Sequence, residues 1–327
     1  SATRTIIKQS SHKVIINWDK FNIKANEHTQ FVQPSKNSFT LNRVTGNDPS
    51  KIFGQLSANG RIALVNRNGI VFGPNSRVDV AALIASTHDI KNEDFMLGRL
   101  NFDIPGNPGA KIINQGTINI KDGGLVALVA PSVSNTGMIT ARLGKVVLAS
   151  ADTFTLDLYG DDLILFAADN KITRELEDVF GNPIETALEN SGTIEANGGY
   201  VLLTTDVAKN VVDKAINMTG IIKAQTAEMR EGRIILQANA GKTEVTGILD
   251  ASAPKGGDGG FIETSGSEVD LDLTAEINTS AVFGSTGTWL LDPTDYYIAS
   301  SGGDITGATL GGYLGLNNVI VQTATIG

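Results

Sequence analysis

Gly192-Thr-Ile-Glu-Ala196, followed after Asn197 and Gly198 by Gly199-Tyr-Val-Leu-Leu203, is the stretch from which the fold can be read. In its first half the third and fifth positions are apolar and the fourth is polar, the two-residue period of a half-buried strand. The same template occurs at Gly54-Gln-Leu-Ser-Ala58, Gly116-Thr-Ile-Asn-Ile120, Gly137-Met-Ile-Thr-Ala141, Gly220-Ile-Ile-Lys-Ala224 and Gly247-Ile-Leu-Asp-Ala251. Ser76-Arg-Val-Asp-Val80 and Ala275-Glu-Ile-Asn-Thr279 are looser copies without the glycine. Recurrence at roughly 20 to 30 residues marks a solenoid, in which each unit buries its apolar face only against a neighbour.

Most copies are followed by a second strand: Gly60-Arg-Ile-Ala-Leu-Val65, Gly124-Leu-Val-Ala-Leu-Val129, Gly144-Lys-Val-Val-Leu148, Gly232-Arg-Ile-Ile-Leu236 and Gly287-Thr-Trp-Leu-Leu291. Two or three strands per coil, with coils about 4.8 Å apart, make a right-handed parallel β-helix, so the expected fold class is all-β. An antiparallel sandwich also has many short strands, but it does not require the same side-chain columns to recur in register.

Residues 1–53 do not follow the template and are expected to form an N-terminal capping segment, with the β-helix over 54–327. Three short extra-helical insertions interrupt the period. Asp89 to Gly109 reads as a loop or hairpin, with turn signals at Pro105-Gly106 and Pro108-Gly109. Asn170 to Asn190 carries Ile172, Leu176 and Val179 at helical spacing, stopped by Gly181-Asn-Pro183. Asp206 to Ala215 reads as a short amphipathic helix with Asp206 as N-cap and Val207, Val211 and Ala215 on one face. Past Trp289-Leu-Leu-Asp-Pro293 the sequence is Gly-rich and mildly apolar, with no polar capping segment, as expected of a fragment of a longer solenoid.

Composition narrows the function. A net charge of -9 argues against counterion-release binding to nucleic acid, which needs clustered Lys and Arg. Leu125 to Ala130, among the longest apolar runs, is far too short for a membrane-spanning helix. No basic-then-apolar leader precedes Ser1, so any secretion signal is expected to have been removed or to lie outside this sequence. The absence of cysteine excludes a thiol nucleophile, thiolate metal sites and disulfides, and suits a chain that crosses an oxidising periplasm unfolded.

Candidate chemistry is sparse. The acidic residues Asp161 with Asp162, Asp270 with Asp272, and the outward Asp79, Glu195 and Asp250 are the material for a carboxylate pair, but the outward column reads as a solvated face. His12, His28 and His88 are scattered, and Gly256-Gly-Asp-Gly-Gly260 resembles a calcium-binding repeat in a single copy that reads more simply as a flexible corner. No catalytic residue, cofactor or metal is therefore expected. Asn114, Asn135, Asn190 and Asn217, ahead of the template glycines, should stack at one corner, with left-handed backbone angles and hydrogen bonds from coil to coil. Asn66-Arg-Asn-Gly-Ile70 is a tight-turn signature between two buried strands, expected to set geometry without burying much surface.

These residues carry a resemblance. Asn17-Trp-Asp-Lys-Phe-Asn-Ile23, Phe31-Val-Gln-Pro34 through Thr40-Leu-Asn-Arg-Val44, Ile52-Phe-Gly-Gln-Leu-Ser-Ala-Asn-Gly60, Val65-Asn-Arg-Asn-Gly-Ile-Val-Phe-Gly73 and Ala85-Ser-Thr87 with Asp89-Ile90 are similar to the N-terminal secretion domain of two-partner-secretion exoproteins, the filamentous-haemagglutinin and high-molecular-weight adhesin family. Trp289-Leu-Leu-Asp-Pro293 resembles the end of such domains. The family's secretion-associated Asn-Pro-Asn-Gly-Ile motif maps onto Asn66, Asn68, Gly69 and Ile70, with Arg67 in place of the proline that would fix φ near about -65°. The resemblance implies a non-enzymatic secretion and folding-nucleation domain, passing through the periplasm to the cell surface or medium. Its implied partner is an outer-membrane β-barrel transporter with POTRA domains. The resemblance also implies a host-cell receptor or glycan engaged through the full-length protein, which is expected to be monomeric. A polysaccharide lyase or hydrolase on the same scaffold, and the N-terminal part of a haemolysin or contact-dependent-inhibition toxin, are the alternatives.

Overall fold

The computed structural model describes residues 3–157, 166–178 and 180–323. Its chain winds through three long parallel sheets. Sheet A has ten strands, from Thr3–Lys8 to Glu276–Asn278; sheet B has eleven, from Lys13–Trp18 to Asn318–Val321; sheet C has eight, from Ser50–Ile52 to Glu268–Leu271. In all three the spatial order of strands follows chain order, and successive strands pair in parallel. This is a parallel β-helix.

The aliphatic column stacks as the template requires: Ile118 pairs with Ile139, Ile139 with Ile194, Ile194 with Ile222, and Ile222 with Leu249. All five are fully buried in the inner core. The template glycine has a steric cause. A Cβ at Gly137, Gly192, Gly220 or Gly247 would lie 2.0 to 2.2 Å from the carbonyl oxygen of the glycine one coil below, so any side chain would push the coils apart.

The expected boundary at residue 53 is not a break in the sheets. Thr3–Lys8 pairs with Glu27–Val32 in sheet A, and Lys13–Trp18 with Phe39–Val44 in sheet B, so residues 3–52 are built as the first coils rather than as a separate cap. Their strands were hidden from the template because larger residues, among them Phe31 and Phe39, replace the short aliphatics.

Sheet B has a second core on its outer face. In Leu125–Ala130 the alternate residues Val126, Leu128 and Ala130 point inward, while Leu125, Ala127 and Val129 belong to an outer cluster. A parallel strand covered on both faces reads as a continuous apolar run. The cover comes from the Asp89 to Gly109 insertion, which is more than a loop: it forms helix α1 (Asn92–Leu97) and strand Leu100–Phe102. Glu93 and Asp94 suit the positive end of α1, and Gly98 closes it at φ 84°. Leu100–Phe102 pairs antiparallel with Thr153–Leu156, and that strand with Phe166–Asn170. Phe102 stacks on Phe154 at 4.5 Å, and Phe39 meets Phe95 edge-on at 5.0 Å.

Two expected helices do not form. Ile172 bridges Val207, and with Leu176 and Ala187 they make a small separate core, so the apolar residues of 172–176 and 206–215 are spent on each other and on the strand Lys214–Met218. Val179 lies outside the described residues. The C-terminal segment is not bare either. Helix α2 (Gly307–Leu314), N-capped by Thr306, and the turn after it lie over the last sheet A strand: Tyr313 donates its hydroxyl to the Ala275 carbonyl at 2.9 Å, and Asn317 Nδ2 donates to Ile277 O at 2.8 Å.

Candidate functional site

Asn66 ends a sheet B strand and Ile70 begins a sheet C strand, so the turn between them is a corner of the helix. The Gly69 N–H donates to the Asn66 carbonyl at 3.0 Å, closing a β-turn, and Gly69 sits at φ 115° where a Cβ would also come within 2.9 Å of Lys111 O. Asn66 is fully buried. Its Nδ2 donates to Asp48 O and Ser50 Oγ, each at 3.0 Å, and its Oδ1 accepts from the Asn68 backbone at 2.9 Å. Asn68 Nδ2 donates to Gly46 O at 2.9 Å. Ile70 points into the inner core. The structure thus brings Asn66, Asn68, Gly69 and Ile70 together, and it corrects the expectation that this turn buries little.

A residue that the sequence did not single out completes the corner. Asn107 donates from Nδ2 to Asn68 Oδ1 at 2.7 Å and from its backbone to Arg67 O at 2.9 Å. Arg67, standing at the proline position of the family motif, donates from Nε to Pro105 O at 3.2 Å. A side-chain tether to the insertion therefore restrains a turn that lacks the ring. The only sequence hint was that Asn107 adjoins a Pro-Gly pair in a polar segment.

The asparagine corner of sheet C is a ladder. Asn114 Nδ2 donates to Asn135 Oδ1 at 2.7 Å, Asn135 to Asn190 at 2.6 Å, and Asn190 to Met218 Sδ at 3.2 Å. Asn217 is not in it: it stands three residues before its glycine, pairs with Glu189, and leaves the inward place to Met218. None of these asparagines has a positive φ.

Elsewhere the candidate acidic residues among the described ones have partners. Lys242 pairs with Asp270 at 2.8 Å and Glu268 at 3.2 Å, Lys214 with Glu244 at 2.6 Å, and Asp250 accepts from Gln225 at 2.7 Å. Asp272 accepts from the Thr274 backbone and hydroxyl, which holds its carboxyl below the usual range. Asp79 faces Arg77 and Glu195 faces Lys223 at longer range, while Asp161 and Asp162 lie outside the described residues. The Asp258 carboxylate of the glycine-rich corner accepts from the Ser285 N–H at 2.7 Å. Among the described residues no group of three His, Asp or Glu could hold a metal. His88 is buried against Phe154, and burial pushes its pKa down to about 4.

Comparison with known proteins decides the family. The family model described as TPS secretion domain matches residues 1–250. The chain belongs to the TPS secretion domain family. A heme/hemopexin-binding protein of Haemophilus influenzae strain Rd is 31% identical to this TPS domain over 242 residues, covering 71% of this chain and 25% of that protein. A second heme/hemopexin-binding protein of the same species is 28% identical over 268 residues, covering 73% and 26%. The chain spans about a quarter of the length of the curated relatives it matches. The crystal structure of the HMW1 secretion domain from Haemophilus influenzae superposes on 98% of this chain and 79% of that one, with a TM-score of 0.70 and 25% identity. As a TPS domain the chain serves export of a two-partner-secretion exoprotein across the outer membrane, and its export partner is an outer-membrane transporter.

Proposed function

We propose that this domain is the first part of a longer surface exoprotein to be engaged by the transporter's POTRA domains, and the first to fold outside the cell. The observation that carries this reading is the agreement of strand order with chain order in all three sheets. Each coil needs only its predecessor as a template, so folded coils outside disfavour backsliding while the rest is still threading. Engagement would use strand addition, in which an unfolded segment pairs with an exposed sheet edge of the transporter's periplasmic part. The Asn66 to Ile70 corner is proposed as the secretion motif, acting by fixing the join between the first coils and the Asn107 insertion.

We read the domain as non-enzymatic, since the candidate carboxylates Asp79, Glu195, Asp250, Asp270 and Asp272 each face a basic or hydrogen-bonding partner. The longer protein is proposed to be an adhesin of the cell surface. Its sequence relatives favour a second reading, a heme/hemopexin-binding exoprotein. To test the motif, the exoprotein is expressed with its transporter, and secreted and periplasmic fractions are compared for Asn66→Ala and Asn68→Ala beside the melting of each purified domain. Secretion should fall further than lost stability explains. A fall merely proportional to stability would make the corner structural only.

A further inference from the structure

Non-glycine residues rarely adopt positive φ. Among the described residues Leu143, Asn210, Glu228 and Met229 do so. Three of the four lie on the corner leading from sheet A to sheet B, in two coils separated by the coil of Gly198 and Gly199: Leu143 at φ 53°, Glu228 at 52° and Met229 at 59°. Glu228 and Met229 are the central pair of a two-residue turn closed by backbone bonds in both directions between Ala227 and Arg230, at 3.0 and 2.9 Å. Asn-Gly is the favoured pair for that geometry. An ion pair from Arg142 to Glu228 helps to hold the unfavourable version.

This turn borders a groove of about 540 Å³ lined by Leu143, Lys145, Gly198, Tyr200, Arg230 and Arg233. Its size is that of a small-molecule site. Tyr200 lies in register between Lys145 and Arg233 on the outer face of sheet B, its ring half-buried. Arg233 stacks over Phe261 with 5.0 Å between guanidinium carbon and ring centroid. Arg142 is neutralised by Asp122 and Glu228. By contrast, no carboxylate pairs with Arg230 or Arg233 among the described residues, although Glu231 also lines the groove. Two guanidinium groups without acidic partners are unusual company in a chain of net charge -9.

We infer that this groove binds the carboxylate of an acidic sugar, with Arg230 and Arg233 gripping the carboxylate and the Tyr200 ring lying against the sugar. Guanidinium groups bind a carboxylate in a planar, two-pronged manner, and a tyrosine ring offers an apolar face with a polar tip for the sugar's hydroxyl edge. The strained turn serves to bring Arg230 onto the groove that Arg233 also lines, and strain of this kind persists where the surrounding structure over-determines it.

The test is calorimetric titration of the purified 327-residue chain with sodium glucuronate and with N-acetylneuraminate, using glucose as the neutral control. Saturable binding of at least one acidic sugar and none of glucose is expected. Arg230→Gln and Arg233→Gln should each weaken it by about tenfold, the loss expected for a charge-assisted contact. Tyr200→Ala should weaken it while Tyr200→Phe retains it, and melting of each variant checks that the coils remain folded. The Arg230→Gln/Arg233→Gln double variant should be exported normally, which separates this site from the export reading. Absence of saturable binding to both acidic sugars, equal binding of glucose, or affinity unchanged in the arginine variants would overturn the assignment.

Discussion

The Asn66 and Asn68 side chains differ in what they hold, and so should their alanine variants. Asn66→Ala leaves the Asp48 carbonyl, the Ser50 hydroxyl and the Asn68 N–H without a buried partner, which should cost about 2 to 3 kcal/mol in denaturant titration. Asn68 is half-exposed and water can replace its contacts, so Asn68→Ala should cost about 1 kcal/mol. His88 gives a pH dependence. Its folded pKa of about 4 lies below the ordinary histidine value of 6.5, so between those values the unfolded chain binds a proton that the folded chain excludes. Stability should fall as pH drops through that window, by about 3 kcal/mol in total. Asp152 and Arg174, paired at 2.8 Å, are the charged groups beside it. Denaturant titrations at pH 7 and pH 4.5 should show a loss that His88→Gln largely removes; an equal loss in the variant would assign the dependence elsewhere.

At the scale of elements, the cover on sheet B hangs on Arg43. This residue donates from Nε to Asp89 Oδ1 at 2.8 Å, from Nη2 to Ile90 O at 2.6 Å and from Nη1 to Asn92 Oδ1 at 2.7 Å, with both members of the ion pair mostly buried. Arg43→Ala should cost about 3 kcal/mol and speed amide exchange in Leu100–Phe102 and Thr153–Leu156 before it affects the inner strands. The stacked strands were legible in the sequence because Ile118, Ile139, Ile194, Ile222 and Leu249 repeat one local pattern with one local cause. The cover was not, because Phe102 and Phe154 are brought together across some fifty intervening residues by pairing that no local period records. The helices expected at 172–179 and 206–215 failed for the same reason: their spacing was helical, but Ile172 and Val207 found each other. Asn217 shows how sharp the rule is, since one residue of displacement moved it from the ladder to the outer face.

For the whole molecule, coils are proposed to form in chain order, each on the one before. Ile194→Asp places an unpaired charge between coils in the middle of the stack and should cost several kcal/mol, about 4, in the isolated domain. Val78→Asp does the same near the start, where Val78 rests on Leu56 and carries Ile118. The most direct measurement is protease protection of the exoprotein at the cell surface, with its transporter present, for these two variants. With Ile194→Asp the coils before Thr193 should survive as a resistant N-terminal fragment, while those after it are digested. With Val78→Asp no such fragment should appear. The same digestion pattern for both variants, or resistant coils after the substitution with none before it, would contradict folding in chain order.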